Sequence, residues 1–545
     1  MPVTTPTTRR RFLTAAALGA AAGGGVLTAP AARAAAPGTG VRPGRVPLTR
    51  EEHRAVVIGS GFGGGVTALR LAQAGVPVTV LERGRRWVTG PGVDTYATVS
   101  RPDRRLLWYG TTPEAVRPVQ RLVGGPLDLD PYVGVVEPVL GDSLLAVCAA
   151  GVGGGSLVYQ GMTLQPSREV FETWMPGEWD YGRLDREYYP RVARMLRVSP
   201  APDELLATPT YRAARIFRDR AERRGFPVEK VPLPVDWDYP LAETRGEMKP
   251  AYTSGDTTFG INNGGKHTVD VTYLAQAEAT GRCRVLPQHR VTSVARGTGG
   301  RWTVHVDRID EAGRVLEQKI LTTNALVMAA GSINTTRLLV RAAALGGIPG
   351  LPDDVGRGFG TNGDRLYLWT DLVDDFGARQ GSPVTYVAKT WDEPRTATTV
   401  CQFSVPPLYG INTRSTLVLA MAVSPDRGRW TYNSLTDTVN MHFPVTGDRA
   451  ISLTSARRVQ AIAAGLGTVA NINLAVNFTV HPLGGACTGP VADPYGRVHG
   501  QPGLYVLDGA LIPGTTAACN PSMTIAAVAE QALDDIVAKD VGTTI

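Results

Sequence analysis

Cysteine is scarce in this sequence: Cys148, Cys283, Cys401, Cys487 and Cys519 are spread over 545 positions. Five so scattered exclude a disulfide framework and a zinc cluster; one disulfide is compatible with the spacing and none is required by it. Internal repeats are missing at the periods of about 20 to 50 residues that build solenoids and propellers. Beyond a mild Ala- and Gly-rich stretch near the N-terminus, no apolar run is long enough to span a bilayer. Strong charge is lacking too. The formal net charge is +7, but Arg9, Arg10, Arg11 and Arg33 stand in a leader without acids, and subtracting those four leaves +3. That is no nucleic-acid footprint.

What is present describes a globular chain, with 43% hydrophobic and 19% charged residues, long for one domain and comfortable for two. Residues 1–36 read as a twin-arginine export signal: Thr8-Arg9-Arg10-Arg11-Phe12-Leu13, a short h-region to Thr28, and Ala32-Arg33-Ala34 as a cleavage site. A destination outside the cytoplasm is expected. Residues 37–49, rich in Pro, Gly and Arg, read as a linker.

The organising stretch runs from Ala55 to Glu82. Ala55–Ile58 is an apolar strand, Gly59-Ser60-Gly61-Phe62-Gly63-Gly64 breaks it, Val66–Ala74 has helical spacing, and Val78–Leu81 is a second strand. Gly59, Gly61 and Gly64 fit the dinucleotide fingerprint, in which glycine permits a tight turn and close approach to a pyrophosphate. The helix N-terminus offers its free N–H groups to that anion. Glu82 stands where an acid accepts hydrogen bonds from an adenosine ribose. NAD and FAD share this half, so the unit alone leaves the cofactor open.

Further on, residues 83–141 read as a long polar wrapping loop. A second glycine cluster, Gly151-Val152-Gly153-Gly154-Gly155-Ser156, lets backbone approach a flat or anionic ligand. Strands are expected near 283–286, 288–295, 302–307 and 325–328, the last opening at Gly331 into a helix. Alternation over 383–423 reads as an antiparallel sheet. A strand at Leu504–Leu507 and a helix from Met523 close the chain.

Four blocks together resemble the glucose-methanol-choline (GMC) oxidoreductases, and within them the bacterial cholesterol oxidases that hold FAD non-covalently. They are VVIGSGFGGG from Val56, GVGGGSLVYQGM from Gly151, HPLGGAC from His481, and LYVLDGALIPGTTAACNPSMTIAAVAE from Leu504. Weaker likeness at 262–274 and Asn362-Gly363-Asp364 extends it over nearly the whole mature chain. The resemblance implies an α/β, two-domain fold: a Rossmann-like FAD domain at 50–90, 262–345 and 495–541, and a substrate domain with a mostly antiparallel sheet at 91–261 and 346–494. It implies that Gly59, Gly61, Gly64 and Glu82 hold the ADP half and that Gly153, Gly154, Gly155, Ser156 and Met162 line the flavin. Val291, Gly331 and Asp508 fall on the cofactor side, with Asp508 at the ribityl or phosphate region. His481 and Asn520 become the catalytic pair.

That pair suits alcohol oxidation. A base of near-neutral pKa must take the hydroxyl proton as hydride leaves carbon, and imidazole meets the need. A carboxamide can hold the same oxygen without adding charge. Two departures stand out. Gln402 aligns with a glutamate that moves a proton during steroid double-bond isomerisation, and glutamine cannot shuttle it; Cys401 is expected on the opposite strand face. Tyr159-Gln160 replaces the usual Asn-Gly beside the flavin. The leading expectation is an exported FAD oxidase of a hydrophobic, sterol-like secondary alcohol, with dioxygen as acceptor and weak or absent isomerisation. A dehydrogenase with another acceptor, or a flavin-binding protein without turnover, stands as the alternative. The partner expectations are that alcohol and dioxygen, a monomeric chain in transient contact with a membrane surface, no nucleic acid and no metal.

Overall fold

The computed structural model describes residues 46–110, 131–407, 410–473 and 477–545. The stretches expected to form a twin-arginine leader with its cleavage site, and most of the expected linker, lie outside the described residues, and the first strand already begins at Leu48.

Strand Leu48–Ile58 alternates inward and outward as far as Arg54, then buries Ala55, Val56, Val57 and Ile58 in succession. Continuous burial is what a central parallel strand demands of its sequence. Its parallel neighbours are Val78–Leu81 and Val315–Met328. Cys283–Leu286 extends the sheet in parallel beyond Val78–Leu81, and Leu504–Val506 adds in parallel to the end of Val315–Met328. Trp302–Ile309 and His289–Arg296 continue it as an antiparallel arm. Seven strands from three separated pieces of chain thus share one sheet.

Register matters more here than strand count. Ile58 is level with Leu81 and Met328, Leu81 with Leu286, and Met328 with Val506, so five parallel strands end in one row. Ligands of open α/β sheets bind beyond such carboxyl ends. Gly59, Glu82, the Ala329–Gly331 turn and Asp508 all fall immediately past that row. The crossover helix Phe62–Gln73 buries nearly its whole length against the closing helix Ser522–Lys539.

A second sheet is antiparallel throughout, in the order Gly467–Asn471, Arg365–Asp371, Ser415–Ala422, Thr398–Phe403, Tyr386–Thr390 and Val228–Lys230. One face, with Tyr367, Trp369, Ala388, Val400 and Val418, packs on helices Arg212–Arg223 and Arg449–Ile462. The other, with Val387, Cys401 and Met421, packs on Met162, Leu164, Val231 and Cys519. The region read as one long loop holds a hairpin strand, Val136–Leu140, paired with Leu144–Ala149. All five cysteines are free thiols. Among the described residues no cluster of metal-binding side chains occurs and no helix is long and apolar enough to cross a membrane.

Candidate active site

The first glycine turn is shaped by contacts that no side chain could share. Gly59 has φ +101°, and a Cβ on it would stand 2.2 Å from Ala329 O; one on Gly64 would stand 2.1 Å from Gly59 O. Gly61 differs, because its nearest neighbour is Gly154 Cα at 3.9 Å, while a Cβ on Gly154 would come within 2.7 Å of Gly61 Cα. The two glycine clusters therefore meet backbone to backbone. Ser60 stitches them, its hydroxyl donating to Glu82 Oε2 at 2.6 Å and accepting Gly153 N–H at 3.2 Å. Ser156 completes the seam by donating to Gly153 O at 2.7 Å and accepting Val269 N–H at 2.9 Å.

Two buried carboxylates stand at the sheet's carboxyl ends. Glu82 also accepts Gly84 N–H at 2.8 Å, and burial raises its pKa above the usual carboxylate range. Asp508 accepts Gly331 N–H at 2.8 Å, the Thr335 hydroxyl at 2.6 Å and Ala510 N–H at 2.7 Å; burial pushes it up to about 6. Gly331 and Asp508, 177 residues apart, are thus direct partners. Val291 is half-buried in the strand that begins at His289, whose N–H donates to Glu82 O at 2.9 Å.

These residues fit a dinucleotide with a flat ring. Helix Phe62–Gln73 starts without a side-chain cap, which leaves its first N–H groups for an anion. Gly155 has nothing within 4 Å of where its Cβ would be. Close by, Asp270 Oδ1, the Tyr159 hydroxyl and Gln160 Oε1 are buried without a partner among the described residues. Buried polar atoms are rarely left so, and three at one glycine loop mark a place built for polar ligand atoms.

At the start of strand Arg365–Asp371 in the second sheet, His481 donates from Nδ1 to Asp364 Oδ1 at 2.9 Å. Asp364 is fully buried, and its Oδ2 accepts Val480 N–H at 2.9 Å, His481 N–H at 3.1 Å and the Thr479 hydroxyl at 3.0 Å. The imidazole remains partly exposed, and its Nε2 has no hydrogen-bond partner among the described residues. Asn362, two residues before Asp364, donates to Cys519 O at 2.7 Å and accepts Thr516 N–H at 2.9 Å. It ties the histidine's partner to the segment that carries Asn520. Asn520 is already committed: its amide donates to Met162 O and to Ser522 Oγ at 2.9 Å, and Oδ1 accepts Leu164 N–H at 3.3 Å. Both amide protons are spent, so an alcohol could reach only the carbonyl end of this side chain.

Gln402 is placed otherwise than expected. It lies opposite Val418 on the helix-covered face, where Nε2 donates to Thr416 Oγ1 at 2.8 Å, and Thr416 donates in turn to Gln380. Cys401 takes the face shared with Met162 and Cys519. Strand side chains alternate by single residues, so Gln402 and Cys401 face opposite sides of the sheet, as expected, but Gln402 is on the side covered by helices. Burial pushes the Cys401 thiol up to about 12.

Two features lay hidden in the sequence. Asp364 occupies a short polar motif whose meaning depends on a partner 117 residues away. Lys266 donates to Leu157 O at 3.1 Å and to Tyr159 O, lies 4.7 Å above the Tyr159 ring, and is pushed down to about 7 by burial, with Asp270 opposing. The only signal for it was its glycine-rich neighbourhood at 260–265.

Known proteins resemble this chain over most of its length. Cholesterol oxidase of Mycobacterium tuberculosis (strain CDC 1551 / Oshkosh) is 29% identical over 538 residues, spanning 83% of this chain and 86% of that protein. Cholesterol oxidase of Acinetobacter baumannii is 24% identical over 526 residues, spanning 84% and 90%. Among solved structures, pyridoxine 4-oxidase from Mesorbium loti superposes with a TM-score of 0.60 at 15% identity, over 89% of this chain and 99% of that one. A fungal aryl-alcohol oxidase gives 0.59 at 15%, over 90% and 100%. Those two show the fold alone. Two family models described as GMC oxidoreductase match in order, at residues 22–359 and 448–529. Covering well over half of the chain between them, they establish that this protein belongs to the GMC oxidoreductases, enzymes that act on alcohol-type donors.

Proposed function

We propose that the protein is an exported oxidase of a hydrophobic secondary alcohol, sterol-like in bulk, with non-covalent FAD as cofactor and dioxygen as electron acceptor. The observation that carries the reading is His481. Its Nδ1 is spent on Asp364, while Nε2 remains as a proton acceptor on a partly exposed ring. A hydroxyl placed there gives up its proton as hydride leaves the carbinol carbon. Gly59, Gly61, Gly64, Glu82 and Asp508 would hold the nucleotide, and Gly153 to Ser156 the ring. The chemistry FAD supplies when bound is acceptance of hydride at N5 and delivery of two electrons to dioxygen, giving hydrogen peroxide.

An apolar substrate is supported by the likeness to the two cholesterol oxidases over most of the chain. Isomerisation of a steroid double bond is weak or absent in this reading. The inward face of Thr398–Phe403 presents Cys401 and no carboxylate, and a thiol held near 12 does not exchange protons at neutral pH. Export is supported by the paired arginines ahead of the short h-region.

The test is anaerobic bleaching of the flavin spectrum by a panel of sterols and smaller secondary alcohols, followed by admission of air. Bleaching by bulky alcohols with recovery and peroxide formation is expected. Bleaching that recovers only with an artificial quinone acceptor would make the protein a dehydrogenase, and no bleaching by any alcohol would remove the reading.

A further inference from the structure

We propose that Asp364 is a positioning residue for alcohol oxidation, fixing which nitrogen of His481 is bare and where it points. The inference rests on the reading of His481 as proton acceptor and adds a residue to it.

The geometry leaves little freedom. A carboxylate offers acceptors only, so the 2.9 Å contact between Asp364 Oδ1 and His481 Nδ1 requires the proton on Nδ1. Nε2 then holds the lone pair, the form a proton acceptor needs. The other carboxylate oxygen grips the backbone of the same residue through His481 N–H at 3.1 Å and that of its neighbour through Val480 N–H at 2.9 Å. One carboxylate therefore clamps both ends of the histidine, its main chain and its ring. The clamp is itself immobile: Asp364 is fully buried, Asn362 is tied to Cys519 and Thr516, and Arg365 donates to Asp364 O at 2.5 Å. Pairs of this kind, an acceptor that selects the tautomer of a base, are a recurring way to orient imidazole. Were the Asp364 carboxylate exchanged for a carboxamide, the N–H donors that now share two oxygens would compete for one. The NH2 end would face either a backbone N–H or the ring, and a ring meeting an NH2 group must present a bare Nδ1 and carry its proton on Nε2.

The experiment uses the FAD-loaded enzyme labelled with 15N-histidine. The ring resonances of His481 are identified by their loss in His481→Gln. In the wild type the neutral ring is expected to show a protonated Nδ1 and a bare Nε2. A protonated Nε2 with bare Nδ1 would overturn the proposal whether or not any alcohol is oxidised, which separates it from the proposed function. In Asp364→Asn, flavin reduction is expected to slow by about 10²-fold or more while bound FAD is retained and KM changes by less than about threefold. Asp364→Glu, which restores an acceptor-only group, is expected to recover the Nδ1–H signature. Unchanged flavin reduction in Asp364→Asn would also overturn the proposal. Should that variant fail to fold, the wild-type tautomer decides alone.

Discussion

Gly61→Ala and Gly63→Ala change neighbouring positions of one turn, yet they are expected to fail in opposite ways. At Gly63 the added methyl would stand 1.5 Å from Leu507 O and 2.7 Å from its carbonyl carbon. Ordinary contact begins near 3.4 Å, so helix or strand would have to retreat by about 1.9 Å. Neither is free to do so. Leu507 N–H donates to Met328 O at 3.0 Å, Leu504–Val506 is registered on Leu326–Met328, and the helix lies against Ser522–Lys539. Overpacking costs about 1–3 kcal/mol when side chains can yield. Backbone against backbone has no such relief, so the loss should reach the top of that range or exceed it, a large share of a typical total of about 5–15 kcal/mol. Gly61, by contrast, has φ −72° and ψ −162°, which alanine adopts without strain, and no atom closer than 3.9 Å to its would-be Cβ. Its methyl would project onto the open side of the turn, where the nucleotide is expected to pass. Gly61→Ala should therefore fold with a melting temperature near that of the FAD-free wild type, and its FAD dissociation constant should rise by about 10²-fold, or ~2.7 kcal/mol. Differential scanning fluorimetry of flavin-stripped protein and fluorescence-quench titration with FAD read the two quantities separately. Wild-type FAD affinity in Gly61→Ala would refute the placement of the nucleotide, and a normally stable Gly63→Ala would refute the close packing at Leu507.

Four other outcomes are expected. Heat or acid should release FAD intact into the supernatant, because residues 147–162 contain no histidine to carry a covalent link; flavin that stays with the precipitate would refute non-covalent binding. His481→Ala should slow anaerobic flavin reduction by about 10²-fold or more with FAD retained, whereas Asn520→Ala should lower FAD occupancy as well, since it strands Leu164 N–H and leaves Met162 O with the Ser522 hydroxyl as its one side-chain donor; stopped-flow rates and the ratio of flavin to protein absorbance check both. Lys266 sits near 7 in the fold against 10.5 for an ordinary lysine, so between those values the unfolded chain holds a proton the folded chain lacks, and stability should rise with pH across that window; melting curves of Lys266→Met should be flatter there. Gln402→Glu buries a carboxylate on the helix-covered face, so it should lower the melting temperature and leave the ratio of conjugated to total ketone unchanged with a sterol substrate, as followed by ultraviolet absorbance.

How far the sequence could be read follows from how local each signal is. Gly59, Glu82, Gly331 and Asp508 each come just after an apolar strand, and the parallel register that aligns Ile58, Leu81, Met328 and Val506 turns four local patterns into one site. The same holds for Gly153 and Gly154, whose positive φ is needed where they abut Ser60 and Gly61. Helix Arg449–Ile462 escaped notice because it buries only Ile451, Ser455, Val459 and Ile462, a stripe too thin and too polar to show a helical period. Strand Val315–Met328 was legible only in its last residues, since Glu317, Gln318 and Lys319 break the apolar pattern where the strand extends to meet Thr49 and Glu51.

Chemistry that depends on distant partners is where reading failed. Asp364 is one acid among 49 in the sequence, and nothing local says that its carboxylate will hold a histidine 117 residues on. Gln402 shows the sharper limit. A strand was correctly expected there, but which face a side chain takes depends on parity, and a step of one residue exchanges the face that meets Met162 and Cys519 for the face that meets Phe217 and Val459. Paired strands resolve that ambiguity because Cys401 is level with both Val387 and Leu419, which share the inward face, and Gln402 with Val418, which does not. On this strand it is Cys401, and not Gln402, whose side chain meets Met162 and Cys519, so the effect expected of Gln402→Glu is on stability.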